Sequence, residues 1–137
     1  SGVDLSPGMI EVAEREHPHL RFDVGSMLSL AVPDGALAGL VAFYSIIHIP
    51  DAVLPEVFAE FHRVLAPGGR LLLVFQTDGE LRHRTEVLGH AVDLHFHRHP
   101  VDRIAELLTA AGLDVRTRTI REPETERTRQ AYLTARR

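Results

Sequence analysis

Residues 60 to 73 read EFHRVLAPGGRLLL, and this stretch decides the fold. Apolar side chains recur at helical spacing from Leu54 to Leu65 with polar ones between them, which predicts an amphipathic helix. The turn Pro67-Gly68-Gly69 ends that helix. The run after Arg70 is apolar through Phe75, as in a strand that is buried in a parallel sheet. A helix followed at once by a buried strand predicts an α/β protein.

The chain before this stretch repeats the alternation of strand and helix. Residues 40–47 form another almost continuously apolar run, which predicts a strand covered on both faces and joined to the next strand by a right-handed crossover. Ser6 and Pro7 have the residue types of an N-cap and a first helical position, and Pro18 ends the helix that they begin. The alternation over residues 20–24 predicts a short strand between these parts.

The chain after this stretch adds one more helix and a pair of strands. Apolar residues at helical spacing over 101–111 predict a helix that Gly112 closes. Residues 113–120 and 130–136 are strand-like and predict a terminal antiparallel hairpin. The intervening segment 77–100 has a weak pattern and contains five histidines. We expect one domain over residues 1–137.

The composition argues against several classes of function. The 137 residues are 45% hydrophobic and 25% charged, which fits one soluble domain. A formal net charge of -4 argues against nucleic-acid binding, since that needs a concentrated basic face. The apolar runs are too short to span a bilayer, the first residues lack a cationic leader pattern, and there are no cysteines. We therefore expect a cytoplasmic protein with no membrane partner.

Two stretches carry a resemblance to a known family. GVDLSPGMI at residues 2–10 resembles the end of the second strand of class I (Rossmann-like) S-adenosylmethionine-dependent methyltransferases of the small-molecule type, and EFHRVLAPGGRLLL resembles their helix, R-x-L-x-P-G-G and strand unit. Residues 22–27 and 43–48 are similar to the third strand with its adenine-binding turn and to the fourth strand with the loop beside the methyl donor. The members that it resembles are of the kind called methyltransferase type 11.

The resemblance implies both a fold and a reaction. The fold would be a Rossmann-like methyltransferase sheet that ends in an antiparallel hairpin. The reaction would transfer the methyl group of S-adenosylmethionine to an oxygen, nitrogen or carbon nucleophile of a small molecule, and S-adenosylhomocysteine would be the product.

Asp4 is the best candidate for a cofactor-binding residue, because it stands at the predicted end of a strand. A carboxylate there accepts two hydrogen bonds from vicinal ribose hydroxyls, as acidic residues do in dinucleotide-binding folds. An aspartate before a helix also occurs for structural reasons alone, so both interpretations stay open. The resemblance implies that Leu5 and Met9 pack on the adenine and that the backbone near Ser26 binds its edge. The predicted cofactor-binding residues are Asp4, Leu5, Met9, Gly25, Ser26, Met27, Tyr44, Ser45 and His48.

The sequence departs from the family pattern in three places. Ser26 stands where many relatives have aspartate, and Ala38 stands where an acidic residue is common. The family's first strand, glycine-rich loop and following helix have no counterpart, because only residues 1–3 precede Asp4. The strand at residues 40–44 would then have an unpaired apolar edge. We expect either that the sequence is part of a longer protein or that a homo-oligomer covers this edge.

The residue types that methyl transfer needs are hard to recognise in a sequence. The reaction depends mainly on positioning, so the pattern leaves the catalytic residue unknown. His48 is a weak candidate for a general base, and it either shapes the cofactor pocket or only caps its loop. Tyr44 either lines the same pocket or belongs to the core.

Histidines cluster in the segment before the last helix. His95, His97 and His99 alternate, and on an extended segment they would share one face with Asp93. The family resemblance implies no metal, so we expect a solvated strand or a lid wall beside the substrate and no zinc site. His83 and His90 are assigned to the same lid.

Two other functions compete with methyl transfer. A catalytically silent fragment or oligomerisation module is favoured by the missing glycine-rich loop. A nicotinamide-dependent oxidoreductase also places an acid such as Asp4 at a strand end. That class lacks the terminal antiparallel hairpin predicted here, which favours the methyltransferase.

Overall fold

A computed structural model of the protein describes residues 1–79, 81–87 and 90–137. The strands and helices are β1 (Gly2–Asp4), α1 (Pro7–Glu16), β2 (Phe22–Val24), β3 (Leu37–Phe43), a 3-10 helix (Ile46–His48), α2 (Leu54–Val64), β4 (Leu65–Thr77), β5 (Arg82–Val87), β6 (His90–Phe96), α3 (Val101–Ala110), β7 (Asp114–Arg121) and β8 (Arg129–Arg136). The described strands form a parallel β1-β2 pair, a four-stranded sheet in the order β3-β4-β8-β7, and a β5-β6 hairpin. The predicted α/β fold class is confirmed.

The first strand and helix follow from their N-terminal sequence. β1 pairs in parallel with β2, and Asp4 lies opposite Val24 at the carboxyl end of both strands. Ser6 caps α1, because its Oγ accepts a hydrogen bond of 3.3 Å from the backbone N–H of Met9. Pro7 occupies the first helical turn, where it needs no hydrogen-bond donor. The predicted helix is therefore confirmed.

The main core lies between the four-stranded sheet and two helices. β3 pairs in parallel with β4, with α2 between them in sequence, whereas β8 pairs antiparallel with both β4 and β7. The terminal antiparallel hairpin is thus confirmed. The core cluster includes the fully buried side chains of Phe58 on α2, Phe75 on β4 and Ile104 on α3. Burial of side chains of this size contributes about 1.5–3 kcal/mol each to folding.

The prediction that the strand at residues 40–47 is covered on both faces is wrong. β3 ends at Phe43, and residues 46–48 form a 3-10 helix instead. Val41 and Phe43 are 65% and 60% exposed, so one face of β3 is open. Within the described residues β3 pairs only with β4, which leaves the apolar strand edge that the sequence predicts.

The Pro67-Gly68-Gly69 turn differs in detail from its prediction. α2 already ends at Val64, and the glycines lie inside β4, where the pairing with β3 jumps from Leu65 opposite Leu37 to Arg70 opposite Gly39. Gly68 has a φ of +78°, a left-handed conformation that favours glycine. A Cβ on Gly69 would lie 2.8 Å from Ala66 O and 3.0 Å from Leu37 O, so only glycine fits between these backbone atoms.

We predict that Gly69→Ala destabilises the fold and that Gly8→Ala does not. The added methyl group at residue 69 would meet two backbone oxygens, and overpacking of this kind costs about 1–3 kcal/mol. A Cβ on Gly8 in α1 would have Ser6 Oγ at 3.9 Å as its nearest neighbour, so alanine is expected to be neutral or slightly stabilising there. Thermal unfolding followed by circular dichroism checks both variants. Equal melting temperatures for the two would contradict the close approach at residue 69.

Candidate functional site

The carboxyl ends of β1 and β2 bring several predicted cofactor residues together. Asp4 is exposed, and its Oδ1 accepts a 2.8 Å hydrogen bond from the backbone N–H of Ser6. The N–H of Gly25 donates to the backbone carbonyl of Asp4 over 2.9 Å, which joins the two strand ends. Leu5 and Met9 are 65% and 57% exposed beside this carboxylate. An acid next to uncovered apolar side chains suits a ligand with polar hydroxyls and a flat apolar base.

The turn after β2 has its own internal hydrogen bonds. Ser26 Oγ accepts from the N–H of Leu28 over 3.2 Å, and the carbonyl of Ser26 accepts from the N–H of Ser29 over 3.1 Å. The hydroxyl at residue 26 therefore shapes the turn. Met27 is partly buried against the core, which ties the turn to the rest of the domain.

Arg63 and Glu60 of α2 hold the loop that follows this turn. Glu60 Oε1 accepts from the N–H of Leu30 over 2.6 Å, and the Arg63 guanidinium donates to both carboxylate oxygens of Glu60 over 2.7 and 2.8 Å. Arg63 also donates to the carbonyls of Leu30 and Val32 and to the carboxylate of Asp34 over 3.0, 2.9 and 2.6 Å. The guanidinium lowers the pKa of the Glu60 carboxyl. Sequence reasoning found the motif that contains Arg63 but not this clamp.

The residues after β3 have unusual backbone and side-chain environments. Tyr44 adopts a φ of +52°, which is uncommon for a residue other than glycine. Ser45 Oγ is buried and has no hydrogen-bond partner among the described residues. Burial and the neighbouring Tyr132 raise the pKa of the Tyr44 hydroxyl. Strained backbone and an unsatisfied buried hydroxyl often mark a binding site, because the ligand completes the missing contact.

His48 is held in one orientation at the end of the 3-10 helix. Its Nδ1 lies 2.9 Å from the carbonyl oxygen of His95, and its ring meets the edge of Phe96 at a centroid distance of 4.6 Å. A carbonyl oxygen only accepts hydrogen bonds, so Nδ1 carries the proton of the neutral ring. Nε2 is then the nitrogen with a free lone pair, as a general base requires.

The alternating histidines do not share one strand face. β6 ends at Phe96, so only His95 belongs to the strand, where its ring stacks on that of His83 at 4.4 Å. His99 is buried, and its Nε2 lies 3.2 Å from the carbonyl oxygen of Ile46. The side chains of His90 and Asp93 lie outside the described residues. Within the described part of the chain no group of three metal-ligating side chains comes together.

Burial lowers the pKa of two histidines near the 3-10 helix. It lowers the pKa of His99, and it lowers the pKa of His97 together with the charges of the neighbouring histidines. The N–H of His97 donates to the carbonyl of Ile47 over 2.6 Å, and the rings of His97 and His99 stack at 5.6 Å. These residues therefore fasten the segment after β6 to the 3-10 helix that carries His48.

The sequence missed a cavity at the end of β4. It has a volume of about 310 Å³ and is lined by Gln76, Arg82, Arg84, Phe96 and Arg98. Three arginines around one cavity were not recognisable beforehand, since two come from the first strand of a hairpin and the third from the segment after the hairpin. A larger depression of about 580 Å³ lies over the open face of β3 and β4 and includes Leu40 and Leu72.

No helix of the described chain is long and apolar enough to cross a membrane.

Comparison with known structures defines the class of fold. The structure resembles a S-adenosylmethionine-dependent methyltransferase from Methanosarcina mazei with a TM-score of 0.84, covering 98% of this chain and 80% of that one at 18% sequence identity. The fold is therefore the Rossmann-like methyltransferase fold, as predicted.

The sequence then identifies the family. A family model described as a methyltransferase domain matches residues 1–69, about half of the chain. The chain belongs to this family of methyltransferase domains, and the prediction of S-adenosylmethionine as the family's methyl donor is confirmed. The match also favours methyl transfer over the nicotinamide-dependent alternative.

Two curated relatives show how far this similarity extends. The chain is 33% identical over 69 residues to demethylmenaquinone methyltransferase of Chlorobaculum parvum. The matched region covers 50% of this chain and 28% of that protein. It is 30% identical over 82 residues to a malonyl-acyl-carrier-protein O-methyltransferase of Serratia marcescens. That matched region covers 60% of this chain and 31% of that protein. The chain thus spans less than a third of the length of these two relatives.

We predict that the stability of the protein falls as the pH is lowered from about 7 to about 5. The folded state lowers the pKa of His99, so below the ordinary histidine pKa of about 6.5 the unfolded chain binds the proton first. His99→Gln keeps an N–H donor for the Ile46 carbonyl but removes the titrating ring, so its melting temperature should depend less on pH in this range. His97 remains and keeps part of the effect.

The control is His19→Gln, which changes an exposed histidine outside this cluster. Its melting temperature should follow the wild-type pH profile. An unchanged profile in the His99 variant would contradict the burial of a neutral imidazole at this position.

Proposed function

We propose that the protein transfers the methyl group of S-adenosylmethionine to an oxygen, nitrogen or carbon nucleophile of a small molecule. The observation that carries the proposal is Asp4 at the joined ends of β1 and β2. Its Oδ1 bonds to the N–H of Ser6, whereas its Oδ2 has no hydrogen-bond partner among the described residues. The carboxylate is thereby oriented and still has acceptor capacity for ribose hydroxyls.

The other predicted residues fit the same cofactor. Leu5 and Met9 offer exposed apolar surface for the adenine, and the turn at Gly25, Ser26 and Met27 offers backbone groups for its edge. The buried hydroxyl of Ser45 has no described partner and lies beside the strained Tyr44, so a polar group of the cofactor would satisfy it. The whole of residues 1–137 then acts as one methyltransferase domain.

The chemistry divides between the cofactor and the chain. S-adenosylmethionine, when bound, supplies an activated methyl group on a good leaving group. The chain holds the ribose at Asp4, covers the base with Leu5 and Met9, and receives the acceptor's proton at His48 Nε2. The His95 carbonyl accepts the Nδ1–H bond, so in the neutral ring Nε2 has the lone pair that accepts a proton. No metal has a part in this scheme.

We predict that the protein binds S-adenosylhomocysteine and that Asp4→Asn weakens this binding by roughly tenfold or more. The substitution keeps an oxygen acceptor for the N–H of Ser6 but removes the charge, and hydrogen bonds to charged groups contribute about 1.5–3 kcal/mol. Isothermal titration calorimetry measures both affinities. Asp23→Asn is the matched control, because Asp23 is an exposed aspartate within β2 and not at its end.

Saturable binding that both aspartate variants retain equally would remove Asp4 from the site. An absence of binding by the folded 137-residue chain would contradict the proposed cofactor site as a whole.

We predict that His48→Asn lowers kcat by about 100-fold or more while S-adenosylhomocysteine affinity stays within about twofold, as expected for the loss of a general base. The asparagine amide keeps a donor for the His95 carbonyl, so the loop should retain its position. Release of S-adenosylhomocysteine during turnover with small-molecule acceptors provides the assay. Activity at the wild-type level would show that His48 only caps its loop.

A further inference from the structure

Arginine side chains dominate the cavity at the end of β4. Gln76 comes from β4, Arg82 and Arg84 from β5, Phe96 from the end of β6, and Arg98 from the segment before α3. The volume of about 310 Å³ is at the lower end of the range for small-molecule sites. The methyl-donor residues proposed above do not include any of these five side chains.

Arg98 is the most unusual of them. Its Nε and Nη1 are buried and have no hydrogen-bond partner among the described residues. Its side chain lies against Gly79, where a Cβ would be 3.6 Å from Arg98 Cγ. Burial and the charge of Arg82 lower the pKa of Arg98. A buried cation whose donors have no partner is costly unless an anion completes its contacts.

The two arginines of β5 add to this positive charge. Arg82 and Arg84 are two residues apart on a strand, so they point to the same face of the hairpin. In the described part of the chain neither forms an ion pair, whereas Arg103, Arg118 and Arg129 elsewhere each pair with a carboxylate. The cavity therefore collects guanidinium groups that the described protein does not neutralise.

The cavity is adjacent to the proposed general base. Phe96 lines the cavity and also meets the His48 ring at 4.6 Å, so a single aromatic ring separates the two. Gln76 Oε1 is buried without a partner in the described structure and can accept a hydrogen bond from a ligand hydroxyl or amine.

We propose that this cavity binds an oxyanion of the methyl acceptor, a carboxylate or a phosphate, through Arg98 with Arg82 and Arg84. The inference rests on the proposed function and narrows its substrate class to small acids. Guanidinium groups donate paired N–H bonds in the geometry that these oxyanions accept, which a lysine would not match. Phe96 packs on the acceptor beyond the anion, on the side toward His48.

Calorimetric titration of the 137-residue protein with inorganic phosphate and, separately, with malonate tests the site. At least one of these anions should bind saturably at low ionic strength and more weakly in about 0.5 M NaCl, because added salt screens the attraction. The preferred anion identifies the acceptor's charged group as phosphate or carboxylate. Failure of both anions to bind would overturn the proposal.

Arg98→Met removes the charge and keeps an apolar chain of similar length, and it should weaken anion binding by about tenfold or more. Arg15→Gln removes the same charge from an exposed position at the end of α1 and should leave the affinity within about twofold. Equal weakening by both variants would mean a general charge effect and no site. In wild-type protein the NMR signal of the Arg98 Nε–H group should shift on anion addition while that of Arg15 does not, a result that does not depend on the variant's folding.

The test separates this inference from the methyl-donor proposal. Binding of S-adenosylhomocysteine without binding of either anion would overturn the oxyanion site alone. Arg98-dependent anion binding without binding of S-adenosylhomocysteine would support the oxyanion site and contradict the proposed cofactor site.

Discussion

The guanidinium of Arg63 is the contact on which the arrangement of the site depends. It binds Glu60 on its own helix and, at the same time, two carbonyls and a carboxylate in the loop after β2. That loop follows the turn proposed to bind the adenine, whereas α2 packs on the four-stranded sheet. The β1-β2 pair forms no described sheet with β3, so this clamp, together with the packing of Met27 and Leu30 on the core, connects the two ends of the proposed cofactor site. The role of Arg63 in the sequence motif is thus to hold the loop after β2 against α2.

The elements with strong periodicity were predictable from the sequence. α2 and α3 have apolar stripes that only a core can cover, and the terminal segments have the residue types of strands, so local pattern and tertiary packing agree. The failure at β3 has a physical reason. An apolar run predicts burial on both faces only when both faces have a covering layer, and the described helices α2 and α3 pack against one of them. Composition alone cannot show which layers are present.

The site was predictable in part. Asp4 and the residues after β3 could be located because they follow strands directly, and strand ends of a parallel sheet are where such sites lie. Their roles in binding remain a proposal. The clamp at Arg63 and the arginine cavity depend on contacts between residues that are far apart in sequence, such as Gln76 and Arg98, and no periodicity records such contacts. The alternation of the histidines wrongly predicted that they share one strand face. The strand ends at Phe96, and His99 instead lies beside the carbonyl oxygen of Ile46 in the 3-10 helix.

The charge of the arginine cavity constrains which atom of the acceptor attacks. An oxyanion paired with guanidinium groups is stabilised before the reaction, which would slow its own attack on the methyl group. In the proposed site the oxyanion would therefore serve in binding, and a different group of the same acceptor would be the nucleophile. In the proposed scheme that group would lie beyond Phe96, and His48 Nε2 would take its proton. The proton would then be on Nε2, and the bond from Nδ1–H to the His95 carbonyl would strengthen because the imidazole has become charged.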